Sequence, residues 1–119
     1  MKFNINKFEL MDCTLRDGGY HNNWNFKIDL INKYLNVISK TPIKYVELGF
    51  VDLEPHNNQV STANVNNTLL NKLKIPKNLV LGVMINFSEI ILREENIKKI
   101  LSKFTDKKFK KKIKFVRVA

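Results

Sequence analysis

Residues 10–26 read LMDCTLRDGGYHNNWNF, and the rest of the chain is best read outward from them. Phe8 to Cys13 is a short, largely apolar run that predicts a first strand, and it leads at once into Thr14, Arg16 and Asp17. Gly18 and Gly19 follow, then Tyr20, His21, Asn22, Asn23 and Trp24. A strand that ends in charge and turns on glycine is where α/β proteins place their chemistry. Glycine admits φ > 0 and lets backbone approach a ligand closely. Arg16 offers a rigid fork of donors for a carboxylate or an enolate oxygen. Asp17 offers hard oxygens for a divalent cation. If the strand alternates, Asp12, Thr14 and Arg16 share one face, and Met11, Cys13 and Leu15 the other.

Beyond this stretch the chain alternates between two periods. Asn25 is placed to cap a helix over Phe26–Ser39. Its stripe is Phe26, Leu30, Tyr34 and Ile38, with Ile31 and Leu35 beside it. Thr41 and Pro42 end it. Lys44–Phe50, KYVELGF, predicts a second strand. Its Glu47 is anomalous, because a carboxylate inside an apolar strand is costly unless paired. Arg16 is the natural partner if the first two strands lie side by side. Residues 51–61 are a loop rich in turn formers, in which His56 reads as an ordinary loop histidine. A weak helix is expected over Thr62–Leu73. Leu79–Ile85, LVLGVMI, predicts a strand covered on both faces, with Gly82 marking a close approach or a small interior position. Asn86 leaves that strand on the same side as the glycine turn. Ser88 is placed to cap a third helix, whose stripe is Ile97, Ile100, Leu101 and Phe104. Lys107–Lys112 reads as a solvated connector before a fourth strand, Ile113–Val118.

Strand, helix, strand, helix, strand, helix, strand predicts a parallel sheet with helical crossovers. An open doubly wound sheet would satisfy that order. So would a piece of a closed barrel.

The run DCTLRDGGY (Asp12–Tyr20) followed by NNW (Asn22–Trp24) resembles the opening of the metal-dependent aldolase and lyase barrels, the DRE-TIM metallolyases. The GGY–NNW continuation is more similar to the 4-hydroxy-2-oxovalerate aldolase-like branch than to the synthases, which read GEQ after the shared TLRD. ELGF around Glu47 resembles the family's E-x-G, and FVRVA at the end resembles its fourth strand. The resemblance implies the N-terminal half, about four βα units, of a (β/α)8 TIM barrel filling residues 1–119. A complete barrel takes roughly 250 residues. The resemblance also implies cleavage of a 4-hydroxy-2-oxo acid to pyruvate and an aldehyde. Arg16 and Glu47 would belong to the catalytic site, and Arg16 and Asn86 to the substrate site. Asp17 would ligate a divalent cation, Mn2+ or Mg2+. The family completes its metal site with an H-x-H strand, and no H-x-H occurs in this chain. A single carboxylate does not hold a catalytic metal, so the fragment is expected to be inactive alone. Family members often have a histidine three residues after the metal-binding aspartate. Here that position is Tyr20 and His21 comes next, so either could serve in acid–base catalysis. Packing of Tyr20 and solvation of His21 fit the sequence equally well. Other readings are an acyl-CoA Claisen-type synthase of the same superfamily, a non-catalytic remnant, or a basic binding module.

Composition restricts the partners. The 119 residues carry 44% hydrophobic and 27% charged side chains, with a net charge of +10. The excess gathers in Lys103, Lys107, Lys108, Lys110, Lys111, Lys112 and Lys114. Between Lys107 and Lys112 only Phe109 interrupts the lysines, so stacking platforms for bases are missing there and nucleic acid is not the expected partner. The resemblance implies instead a small 2-oxo acid, with a homo-oligomer or an aldehyde dehydrogenase as macromolecular partners of a longer form. The lone Cys13 excludes an internal disulfide and reads as a small buried hydrophobe. No apolar run reaches membrane-spanning length and no signal-peptide pattern is present, so a cytoplasmic location is expected.

Overall fold

The computed structural model describes residues 8–51, 60–91 and 94–119. His56 lies outside the described residues. Four parallel strands form one sheet in the order β1-β2-β3-β4. They are β1 (Met11–Asp12), β2 (Tyr45–Phe50), β3 (Val80–Ile85) and β4 (Ile113–Val118). Helices α1 (Thr14–Gly18) and α2 (Ile28–Ile38) join β1 to β2, and α3 (Asn67–Lys72) joins β2 to β3. Helices α4 (Phe87–Ile91), α5 (Glu94–Thr105) and α6 (Lys107–Lys112) lie between β3 and β4. The strand–helix alternation read from the sequence is therefore present, as an α/β fold.

Pleating divides the sheet into two unlike faces. Val46 and Leu48 of β2 and Leu81, Val83 and Ile85 of β3 point one way and are buried. They share a core with Ile31 and Leu35 of α2, Leu69 and Leu70 of α3, Ile100 of α5 and Phe109 of α6. Tyr45, Glu47, Gly82, Met84, Phe115 and Arg117 alternate with these and occupy the opposite face. There Phe115 lies over Gly82, where an added Cβ would come 2.2 Å from the ring. The ring meets Tyr45 edge to face at 5.9 Å. Gly82 is thus the small interior position its sequence implies.

Several boundaries differ from the sequence reading, each for a local reason. The first strand ends at Asp12, not Cys13, because Asp12 Oδ1 accepts the Thr14 amide (2.9 Å) and the chain coils into α1. Thr14 and Arg16 therefore do not share a strand face with Asp12. Helix α2 begins at Ile28 after Lys27, and Asn25 does not cap it. Its buried line is Ile31 and Leu35, flanked by half-buried Ile28, Tyr34 and Ile38, while Leu30 of the expected stripe is 53% exposed. Tyr34 sits at the margin because its hydroxyl donates to Asp12 Oδ1, tying α2 to the end of β1.

The helix expected from Thr62 starts only at Asn67, capped by Asn66, whose side chain accepts the Leu69 amide (3.0 Å). Thr62 is instead fully buried in a turn, donating its amide to Trp24 O and accepting the Phe50 amide at its carbonyl. The lysine-rich connector is helix α6. Asp106 caps it by accepting the Phe109 amide (2.8 Å), and Phe109 is buried against Phe104. One buried aromatic per short helix suffices to dock it, leaving most of the lysines in water.

Candidate functional site

The glycine turn is built around Trp24. Neither Gly18 nor Gly19 has positive φ. Gly19 is required for space: a Cβ there would sit 1.9 Å from the Trp24 ring. The left-handed residues are Asn23 (φ 54°) and Trp24 (φ 55°). A tryptophan in that region costs backbone energy that its side chain must recover. The indole Nε1–H donates to Arg16 O at 2.8 Å, and the ring packs edge to face against Tyr20 (4.7 Å) and Phe50 (5.6 Å). The Trp24 carbonyl accepts from Ser61 Oγ at 2.9 Å. The turn is thereby pinned to β2, and with it the backbone carbonyl of Arg16.

Arg16 leaves α1 toward β2, and the two adjacent strands bring it to Glu47 as their pairing requires. Arg16 Nε donates to Glu47 Oε1 at 2.7 Å. Glu47 is 0% exposed, and it has a second partner that sequence reasoning missed. Arg117 of β4 donates from Nε to Oε2 and from Nη2 to Oε1, both at 2.7 Å. One carboxylate thus holds two guanidinium groups, from α1 and β4, across the helix-opposed face of the sheet. The signal for Arg117 was available. It stands two residues from Phe115 in an apolar strand, the same anomaly that singled out Glu47.

Electrostatics follow from this geometry. Burial alone would raise the Glu47 carboxyl. The hydrogen bonds and charges of Arg117 and Arg16 outweigh it and hold the group below its ordinary value. Burial likewise opposes the charge on Arg16, but Glu47 and Asp17 raise its pKa. Arg117 is raised chiefly by its hydrogen bonds to Glu47. Burial and the Glu47 carboxylate push the Cys13 thiol up, leaving a protonated, half-buried group rather than a nucleophile.

The remaining candidates are distributed unequally. Asp17 pairs with its neighbour Arg16 (Nη1–Oδ1, 2.5 Å) and is 60% exposed. Tyr20 is exposed beside Trp24, and His21 is exposed in a 3-10 turn at Gly19–His21. Asn86 uses its Oδ1 to accept the Ser88 amide (3.2 Å) and hydroxyl (2.8 Å) at the start of α4. It acts there as a helix cap, the role expected of Ser88, and this engages its side-chain oxygen. The divalent cation implied by the resemblance finds one donor in Asp17, and that donor is neutralised by Arg16. Among the described residues no three His, Cys, Asp or Glu side chains gather as a metal site. The residues described do not by themselves compose a metal centre. Nor is any helix among them long and apolar enough to cross a membrane.

No protein-family model matches the chain. No curated protein matches it either. Among solved structures it is similar to the N-terminal domain of a proposed aldolase from Bacteroides vulgatus, with 24% identity and a TM-score of 0.72. The match covers 93% of this chain and 35% of that one, so the chain spans about a third of its structural neighbour. The likeness establishes a shared α/β fold over nearly all of the 119 residues.

Proposed function

We propose that this chain is the first half of a (β/α)8 lyase barrel, and that the protein carrying it cleaves a 4-hydroxy-2-oxo acid to pyruvate and an aldehyde. The observation that carries the reading is the buried Glu47 carboxylate fixing Arg16 where β1 ends, beside the DGGY turn. A carboxylate that is costly to bury is well placed there if it aims an arginine at a developing charge. The sheet's second face supports the same reading. Tyr45 and Phe115 form one layer and Glu47, Met84 and Arg117 the next, as side chains are stacked inside closed barrels. The neighbour's description as a proposed aldolase agrees with it.

In this reaction a base takes the proton of the C4 hydroxyl, and the C3–C4 bond breaks. Its electron pair becomes the enolate of pyruvate, which is then protonated at C3. Arg16 stabilises the enolate oxygen by charge-assisted hydrogen bonding. Tyr20 and His21, exposed on the same turn, are the candidates for the proton transfers. Asp17 would contribute one ligand to a divalent cation, whose chemistry when bound would be Lewis-acid polarisation of the 2-oxo group.

The test begins with the coding frame beyond Ala119. The protein encoded by the complete frame is then assayed, with Mn2+ or Mg2+, for pyruvate release from 4-hydroxy-2-oxo acids, alongside Arg16→Lys. Release that falls at least about a hundredfold in the variant is expected for loss of one oriented oxyanion donor. No release from any such acid by the complete protein overturns the proposal.

A further inference from the structure

The family resemblance takes in Arg117 only as part of FVRVA and gives it no role, yet it makes more hydrogen bonds to Glu47 than Arg16 does. Its fork occupies both carboxylate oxygens, while Arg16 Nε reaches only Oε1. Two parallel N–H···O bonds fix the plane of a carboxylate, whereas a single one leaves it free to rotate. Arg117 is itself steadied by Met84, whose sulfur lies 3.6 Å from Nη2. Its strand is held in register by pairing Met84 with Arg117 and Ile85 with Val118. The lever therefore runs from β4 through Glu47 to the guanidinium at the end of β1.

We propose that Arg117 is a positioning residue: by clamping both oxygens of Glu47 it sets the direction from which Oε1 receives Arg16, and so aims the Arg16 fork. This rests on the proposed lyase reading only for what Arg16 is aimed at. The groups facing Glu47 are Arg16, Arg117 and the half-buried Cys13, whose thiol stays protonated. Removing the Arg117 fork leaves Glu47 with one cationic partner and with freedom about its terminal torsion. Arg16 is then held toward β2 by a single hydrogen bond to a moving acceptor, with its Nη1 still on the exposed Asp17.

The test separates aim from stability. Arginine Nε–H groups give individual 15N signals, and exchange of the Arg16 Nε–H with solvent is measured in the folded wild-type chain, in Arg117→Gln and in Arg117→Lys. In Arg117→Gln the exchange is expected to rise at least about tenfold, the size of one lost hydrogen bond to a charged group. The Arg16 signal should also begin to titrate with Glu47 as pH falls. Arg117→Lys keeps the charge without the fork, tolerates folding better, and should give an intermediate rate. A residue that merely pins β4 to the sheet would lower the unfolding midpoint and leave Arg16 exchange in the native state unchanged. Wild-type exchange in Arg117→Lys overturns the proposal, as does wild-type exchange in a folded Arg117→Gln. Binding of oxalate, as a mimic of the pyruvate enolate, is measured on the protein from the complete frame loaded with Mn2+. Failure of wild type to bind it counts against the lyase reading alone, while Arg16 exchange still decides the role of Arg117.

Discussion

Glu47→Gln removes one charge and changes little in shape, so it isolates what the carboxylate does. In the native chain the two oxygens accept three hydrogen bonds at 2.7 Å from two cationic side chains. A glutamine in the same rotamer has one oxygen and one NH2 group. Whichever way the amide is turned, a guanidinium N–H faces another N–H, and both arginines lose their buried counterion. Charged hydrogen bonds of this kind are worth roughly 1.5–3 kcal/mol each, and breaking a buried pair costs about 3–5 kcal/mol. Arg117 is 39% exposed and Arg16 13%, so water compensates Arg117 in part. The expected loss is therefore about 3 kcal/mol at pH 7. With a urea slope of about 1–1.5 kcal/mol/M for a chain of this size, the unfolding midpoint drops by roughly 2 M. The pH dependence has a definite sign. The carboxyl is depressed in the folded state below its ordinary 4.5. Its contribution is thus fully present above that value and disappears as pH falls through the folded pKa. Urea unfolding of wild type and Glu47→Gln should show a gap that is constant from pH 5.5 to 8, a window taken from that value, and narrows below about 4.5. A variant as stable as wild type at pH 7 would refute the reasoning, and so would a gap indifferent to acid.

Four further substitutions probe the frame around this cluster. Gly19→Ala drives a Cβ into the Trp24 ring at 1.9 Å and should cost about 1–3 kcal/mol, shifting the emission of the chain's single tryptophan; unchanged emission and stability would mean the indole does not rest on Gly19. Gly49→Ala should be worse than Gly82→Ala in thermal unfolding, because the first meets the Thr62 backbone carbonyl at 1.9 Å and the second only the Phe115 ring at 2.2 Å; the reverse order would contradict the register. Tyr34→Phe deletes the donor to Asp12, whose carboxyl is raised by burial but lowered further by the Tyr34 and Thr14 hydrogen bonds. The cost should be about 1.5–3 kcal/mol at pH 7 and fade as pH falls below about 3.8, measured by urea unfolding at both ends.

The sheet was legible because each strand carries its own evidence. YVELGF, VLGVMI and IKFVRV are apolar and short, and the residues between them repeat at helical spacing. The Arg16–Glu47 contact was legible for an energetic reason, since a carboxylate in such a strand has to find a cation and the turn after β1 offers one. Helix α6 was missed because its lysines mask the signal. Only Asp106, three residues before Phe109, announces it, as a cap followed by one buried aromatic. The left-handed pair at Asn23 and Trp24 was hidden by the two glycines before it, which drew attention to conformation when the constraint was volume.

Arg117 was missed for a different reason, and it bears on how the site should be understood. Sequence reasoning pairs a buried charge with one partner and then regards it as satisfied. A carboxylate has about four acceptor positions, and a single arginine Nε–H fills one. The unfilled capacity of Glu47 was itself a prediction that a second donor had to arrive from a strand not yet assigned a role. With β3 already beside β2 and carrying no cation, β4 was the remaining source, reaching over Gly82 and Met84. The cluster consequently spans the sheet from its first strand to its fourth. A change at either edge strand is felt at Arg16, which is why β4 belongs to the candidate site and not only to the scaffold.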